Sequence, residues 1–246
     1  MAQTNWYEAW FSSGYYETLY EHRNSDEANL FLDNLFEAGW IPRTGKVLDA
    51  PCGTGRHAHW FSSRDYRVTG LDLSEPFIKK AKDLEQSGKA EFFRHDLRYP
   101  FRTNYYDLAL NLFTSLGYFA TRREDEKILI NFYHALKPGG TFVLDFLNAD
   151  FVVAALKREE EVVKKGQTEF AIRRTFENKH LIKKIHIKDG KTEMEFHERV
   201  RAYHFSELES LLTGSGFKIF KTFGDYRLGT FEVEDSPRAI FICHKP

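Results

Sequence analysis

Gly53 and Gly55 sit in the stretch Lys46-Val-Leu-Asp-Ala-Pro-Cys-Gly-Thr-Gly-Arg-His-Ala58, between an apolar run and a helical pattern. Glycine has no Cβ, so it reaches positive φ and lets a ligand approach the main chain closely. The helix that begins there presents unpaired N–H groups at the same place. Asp72 ends the next apolar run, 67–72, where a carboxylate can accept hydrogen bonds from both hydroxyls of a ribose. Gly53-x-Gly55-x-x-Ala58 also fits the dinucleotide fingerprint, so the turn alone admits nicotinamide cofactors as well as other adenosine-containing ligands.

The residues that follow carry more of a pattern. Val47 to Ala58, Gly70-Leu-Asp72-Leu-Ser74, Phe93-Arg-His-Asp96-Leu97, Tyr106-Asp107-Leu-Ala-Leu-Asn111-Leu-Phe113 and Leu136-Lys-Pro138-Gly139-Gly140-Thr-Phe-Val-Leu occur in that order. Together they resemble the class I S-adenosylmethionine-dependent methyltransferases over residues 40 to 150. Pro51 departs from the commonest first motif, which has a glycine there; it fixes φ and offers no donor, so contact is expected through the bend at Gly53 and Gly55.

The resemblance implies S-adenosylmethionine as cofactor, leaving as S-adenosylhomocysteine. It places Asp72 on the ribose, Asp96 and the Leu97 backbone on the adenine amino group, and Leu73 and Phe113 on either side of the ring. Asp49, with backbone carbonyls near Ala50 and Asn111, is expected to meet the cofactor's ammonium. Tyr15, Tyr16, Tyr20 and Arg23 on the N-terminal arm are candidate partners of its carboxylate, though aromatic residues there could equally staple the first helix to the core. Arg56 is a further candidate for that carboxylate, while His57 is expected to be solvated.

Chemistry on the acceptor side is less determined, and no catalytic residue stands out. Acceptor-side candidates are Tyr118, in the loop Thr114-Ser-Leu-Gly-Tyr-Phe119, and His197, Arg199 and Arg201 on one alternating segment. By alternation, Glu195, His197, Arg199, Arg201 and Tyr203 share a face, which is either solvated or the roof of the pocket. His57 and His59, at i, i+2, do not share a helical face, and the thiols are not clustered, so no metal site is expected.

These residues need elements to hold them. Apolar runs at 47–50, 67–73, 90–94, 107–112 and 141–146 read as buried parallel strands. Helical patterns lie between them, with Ser74 as an N-cap and Thr121-x-x-Glu124 as a capping box. A helix is expected over 149–165, then a period of two over 168–176, 181–188 and 192–203, with Asp189-Gly190 as a hairpin signal. Ser206-x-x-Glu209 is expected to cap a late helix, and 217–222 and 239–244 form a closing strand pair. Parallel strand-helix units would continue there in a nicotinamide-binding fold.

The expected architecture is a Rossmann-like, doubly wound, mostly parallel seven-stranded sheet with an antiparallel final strand and an inserted antiparallel β meander. The arm is assigned to 1–40, the cofactor-binding core to 41–160 and 204–246, and the inserted lobe to 161–203.

The chain has 246 residues, a formal net charge of −1 and 16 % aromatic residues, so no global charge draws it to nucleic acid or an acidic membrane. Cys52 and Cys243 form no disulfide framework, which fits a reducing cytoplasm. No apolar run is long enough to span a bilayer. A methyltransferase acting on a small-molecule N or O acceptor is the leading expectation, as a monomer or homodimer. RNA or protein methylation and a non-catalytic S-adenosylmethionine-binding module are the alternatives.

Overall fold

A computed structural model describes residues 6–21, 25–156 and 160–246. Arg23, one of the arm candidates, lies outside the described residues. The larger sheet has seven strands: β1 (Lys46–Asp49), β2 (Arg67–Asp72), β3 (Ala90–Arg94), β4 (Tyr106–Asn111), β5 (Leu136–Leu147), β10 (Lys218–Phe223) and β11 (Arg238–His244). Their order is β10-β11-β5-β4-β1-β2-β3. The first five are parallel where they pair, and β11 runs antiparallel to both β5 and β10.

Apolar packing covers both faces of this sheet, which is why its central strands read as continuous apolar runs. On one face Leu48, Ala109, Phe142 and Leu144 pack against α6 (Arg122–Ala135) and α8 (Phe205–Gly214) through Ile128, Phe132, Leu208 and Leu211. On the other, Val47, Leu108, Leu110 and Val143 meet α3 (Ser25–Glu37), α4 (Arg56–Ser62) and α5 (Glu75–Leu84) through Phe31, Leu32, Phe61 and Ile78. Ser74 caps α5 by accepting from the Phe77 N–H, and Thr121 and Glu124 cap α6 reciprocally.

The second sheet is a four-stranded antiparallel meander of β6 (Glu161–Lys165), β7 (Thr168–Glu177), β8 (His180–Asp189) and β9 (Thr192–Arg201). Gly190, at φ +59°, turns β8 into β9. The arm, α1 (Trp6–Phe11) and α2 (Gly14–Leu19), lies on one face of this meander. Trp10 and Leu19 pack there with Phe170, Ile172, Ile185, Ile187 and Phe196.

Two expected elements differ, and the helical arm is divided. The helix over 149–165 stops early: α7 covers Ala149–Ala154, and 161–165 is the edge strand β6. Val162 and Val163 are β-branched, and that segment pairs with β7, with Val163 joining the arm cluster. The late helix starts earlier than Ser206 suggested, with His204 as N-cap and the Glu207 side chain accepting from the His204 N–H. The arm is two short helices, because Ser13 takes an extended conformation just before Gly14.

Candidate active site

The parallel strands deliver Asp49, Asp72 and Asn111 at the carboxyl ends of β1, β2 and β4, where ligands bind in open α/β sheets. Between β1 and α4 the chain bends at Gly53, φ +55°, and Gly55, φ +88°. A Cβ on Gly53 would meet open space, so the bend faces a void. A Cβ on Gly55 would come within 2.9 Å of His59 and 3.1 Å of Phe92. Gly55 is therefore required by close packing, and it is not among the residues lining the cavity.

That cavity has a volume of about 500 Å³. Its floor is the glycine turn with Asp72, Leu73, Asp96 and Leu97, and Phe113 stands at its side. Its cover is the arm, through Tyr7, Phe11, Tyr16 and Tyr20, together with Tyr118 and Glu198. Pockets of this size take small molecules and cofactors.

Asp72 is tied to the turn from both oxygens. Its Oδ2 accepts from the Gly53 N–H at 2.9 Å and its Oδ1 from the Ser74 N–H at 2.8 Å. Burial nonetheless raises its pKa, opposed by those backbone donors. Asp96 is gripped by Arg98, whose side chain donates to both carboxylate oxygens and, at 2.7 Å, to Glu124. Burial works against the Asp96 anion, but Arg98 outweighs it and holds the carboxyl below the usual range. Phe113 already has the Arg56 guanidinium 3.9 Å from its ring centre, so Arg56 occupies one of the faces where a flat ring was expected.

Asp49, Ala50 and Asn111 stand behind the turn and do not line the cavity. Asn111 Nδ2 donates to the Ala50 carbonyl at 2.9 Å, so that carbonyl is engaged. Buried with them are three polar atoms without a hydrogen-bond partner: Asp49 Oδ2, Asn111 Oδ1 and His57 Nε2. His57 is 4 % exposed and its Nδ1 lies 4.0 Å from Asp49, which corrects the expectation of a solvated ring. Burial pushes the His57 pKa well down and the Asp49 carboxyl up to about 7, with Arg56 opposing the latter. A buried carboxyl whose ionisation is held back, beside an unpaired amide oxygen, is a place where a cationic group would be stabilising.

On the acceptor side, Tyr118 lines the cavity, but His197, Arg199 and Arg201 do not. His197 is exposed beside Trp6, at 6.0 Å between ring centres. Arg199 faces His180 Nδ1 at 3.3 Å, and Arg201 donates to the Ala120 carbonyl at 2.9 Å. The covered face of β9 is the opposite one, Met194, Phe196, Glu198 and Val200. Glu198 is the residue that sequence reasoning missed. Its signal was there: a single acid in a row of otherwise apolar even-numbered positions.

The loop after β4 is pinned from beneath. Asp125, fully buried, accepts from the Gly117 N–H at 3.1 Å and from the Tyr203 hydroxyl at 2.6 Å. Burial lifts its carboxyl to about 6 despite these donors. The pin fixes the backbone one residue before Tyr118.

Residues 47–140 match the family model described as a methyltransferase domain. A curated relative from Streptomyces venezuelae, dTDP-3-amino-3,4,6-trideoxy-alpha-D-glucopyranose N,N-dimethyltransferase, is 30 % identical over 105 residues, 42 % of this chain and 43 % of its own. The solved structure of an S-adenosylmethionine-dependent methyltransferase from Clostridium acetobutylicum ATCC 824 superposes with a TM-score of 0.79 at 18 % identity, covering 94 % of this chain and 96 % of that one. S-adenosylmethionine-bound CalS10, an amino pentose methyltransferase from Micromonospora echinaspora, superposes with a TM-score of 0.69 at 19 % identity, over 95 % and 98 % of the two chains.

Proposed function

We infer that the chain is a class I S-adenosylmethionine-dependent methyltransferase, the reading that its methyltransferase-domain match supports, and that it methylates a compact small-molecule acceptor at N or O. The observation that carries this reading is the cover over the cavity. Tyr7, Phe11, Tyr16 and Tyr20 from the arm, with Glu198 from the lobe, line the same cavity as the glycine turn. A compact acceptor fits beneath such a cover, whereas a polymer needs an open groove. The S. venezuelae relative, which by name methylates an amino sugar, points the same way.

The cavity's residues suit the cofactor. Asp72, fixed by two backbone donors, keeps lone pairs for a ribose diol. Asp96 and Leu97 stand beside it for the adenine, with Arg98 holding the Asp96 carboxylate in place. Asp49 Oδ2 and Asn111 Oδ1, both buried and unpaired, supply negative potential beneath the turn for the ammonium. Tyr16 and Arg56 line the same cavity on the side where the cofactor's carboxylate is expected.

When bound, the cofactor supplies a methyl group on a positively charged sulfur. The protein's own part is to orient and to exclude water. Aligning donor and acceptor can lower the barrier by about 7–11 kcal/mol, and each aromatic face over a cation can add about 0.5–2 kcal/mol. Tyr118 is held for that task by the Asp125 pin one residue away.

The test is transfer from the methyl-labelled cofactor to amino sugars, small amines and polyols, run beside bulk RNA and protein. Label in a small molecule supports the reading. Label in RNA or protein alone overturns it, and tight cofactor binding with no transfer to any of these makes the chain a binding module.

A further inference from the structure

A second cavity, of about 480 Å³, adjoins the first under the lobe. The two share four lining residues: Tyr20, Phe113, Tyr118 and Glu198. If the first cavity holds the methyl donor, as proposed above, an acceptor in the second must present its reacting atom across this shared wall. Three of the four residues are aromatic. Glu198 is the one acid among them.

The far end of the second cavity has basic side chains already matched by acids. Arg174 donates to Glu161 at 2.6 Å, and Arg238 donates to Asp145 at 2.7 Å. Between them the lining mixes the aliphatic Leu147, Val152, Leu181 and Val200 with the polar Glu27, Lys183 and Tyr226. Glu198 has a structural task too, since its Oε1 accepts from Trp10 Nε1 at 2.8 Å and from the Tyr20 hydroxyl at 2.6 Å. Both bonds fall on the same oxygen, so Oε2 takes no part in that tie. Glu198 lines both cavities, and Lys183, its direct neighbour across β8 and β9, donates to the same Tyr20 hydroxyl at 2.5 Å and lines the second cavity with it.

We propose that Glu198 binds the acceptor's reacting nitrogen, which makes the second cavity a site for primary or secondary amines on a compact, partly apolar body. A carboxylate beside Tyr20, Phe113 and Tyr118 favours an ammonium by charge and by the ring faces. It repels an acidic acceptor and gives a neutral hydroxyl less. The ammonium gives one proton to Glu198, and its nitrogen lone pair would form the new N–C bond as the donor's methyl–sulfur bond breaks and leaves its electron pair on sulfur. The methylated nitrogen leaves as an ammonium, and the proton on Glu198 passes to solvent.

The test uses cyclohexylamine and cyclohexanol, matched in shape, titrated by tryptophan fluorescence into the protein with and without saturating S-adenosylhomocysteine. The expected result is at least tenfold tighter binding of the amine. Glu198→Gln, which keeps an acceptor for Trp10 and Tyr20, should abolish that preference with cyclohexanol affinity unchanged. Trp10→Phe weakens the tie but keeps the charge, and it should retain the preference. Equal affinity for the two probes, no binding of either, a preference surviving in Glu198→Gln, or its loss in Trp10→Phe overturns the proposal. Failure of S-adenosylhomocysteine to bind instead sinks the methyl-donor reading, while the unloaded titration still tests Glu198.

Discussion

Asp72 has two tasks in one carboxylate: it fastens the glycine turn through Gly53 and Ser74, and it faces the cavity. Hydrogen bonds to a charged group contribute about 1.5–3 kcal/mol each, so Asp72→Ala should weaken S-adenosylhomocysteine binding at least tenfold in calorimetry. Unchanged affinity would remove Asp72 from the cofactor site. Asp49 gives a different readout. Burial lifts its carboxyl from 3.8 to about 7, so the folded chain keeps a proton that the unfolded chain has released. The stability from that proton is fully present below about pH 4 and is lost as pH rises through 7. Asp49→Asn should therefore raise the melting temperature at pH 8 by about 3 °C or more relative to its effect at pH 4. Parallel melting curves of the two proteins across that range would contradict the assignment. The glycine turn and Asp72 were legible in the sequence because a strand end and the turn after it form a local pattern. Glu198 was marked as the acid in an apolar row but was not assigned, because alternation along β9 defines two faces and only the packed arm decides which is covered.

At the scale of elements, the loop after β4 depends on a buried acid one helix away. Asp125, on α6, holds the Gly117 N–H and the Tyr203 hydroxyl. Tyr203→Phe leaves that carboxylate short of a donor and should cost about 1–3 kcal/mol, seen as a lower urea midpoint. It should also raise the acceptor's KM more than the cofactor's, because Tyr118 lies next to the pin. An unchanged midpoint would show that the hydroxyl contributes nothing. The Thr121–Glu124 capping box and the parallel strands of the core were readable because their signals are short-range. Segment 161–165 was not, since Glu-Val-Val-Lys-Lys fits a helix end by charge and becomes a strand only because β7 offers an edge. The break in the arm turned on Ser13 being extended, which a run of aromatic residues conceals.

Across the whole molecule, the sheet supplies a fixed floor while the cavity's cover is assembled from two parts that lean on each other. Trp10 and Tyr20 bond to Glu198, Tyr15 donates to Asp189, and Glu17 pairs with Lys80 on α5. Removing residues 1–21 should lower cofactor affinity at least tenfold and open amide exchange in β7 and β8, whose Phe170, Ile172, Ile185 and Ile187 would lose their packing. Exchange confined to the core strands would show that the lobe stands without the arm. The antiparallel final strand could be anticipated from the closing strand pair, but the seating of arm on lobe could not, since it joins segments as far apart as Tyr20 and Glu198. The shared wall of Tyr20, Phe113, Tyr118 and Glu198 makes the two cavities thermodynamic neighbours. A ligand that orders this wall from one side spares the other that cost, and linkage makes the gain equal in both directions. The factor by which S-adenosylhomocysteine tightens an amine should therefore equal the factor by which that amine tightens S-adenosylhomocysteine, so donor occupancy also sets how selectively the protein reads its acceptor.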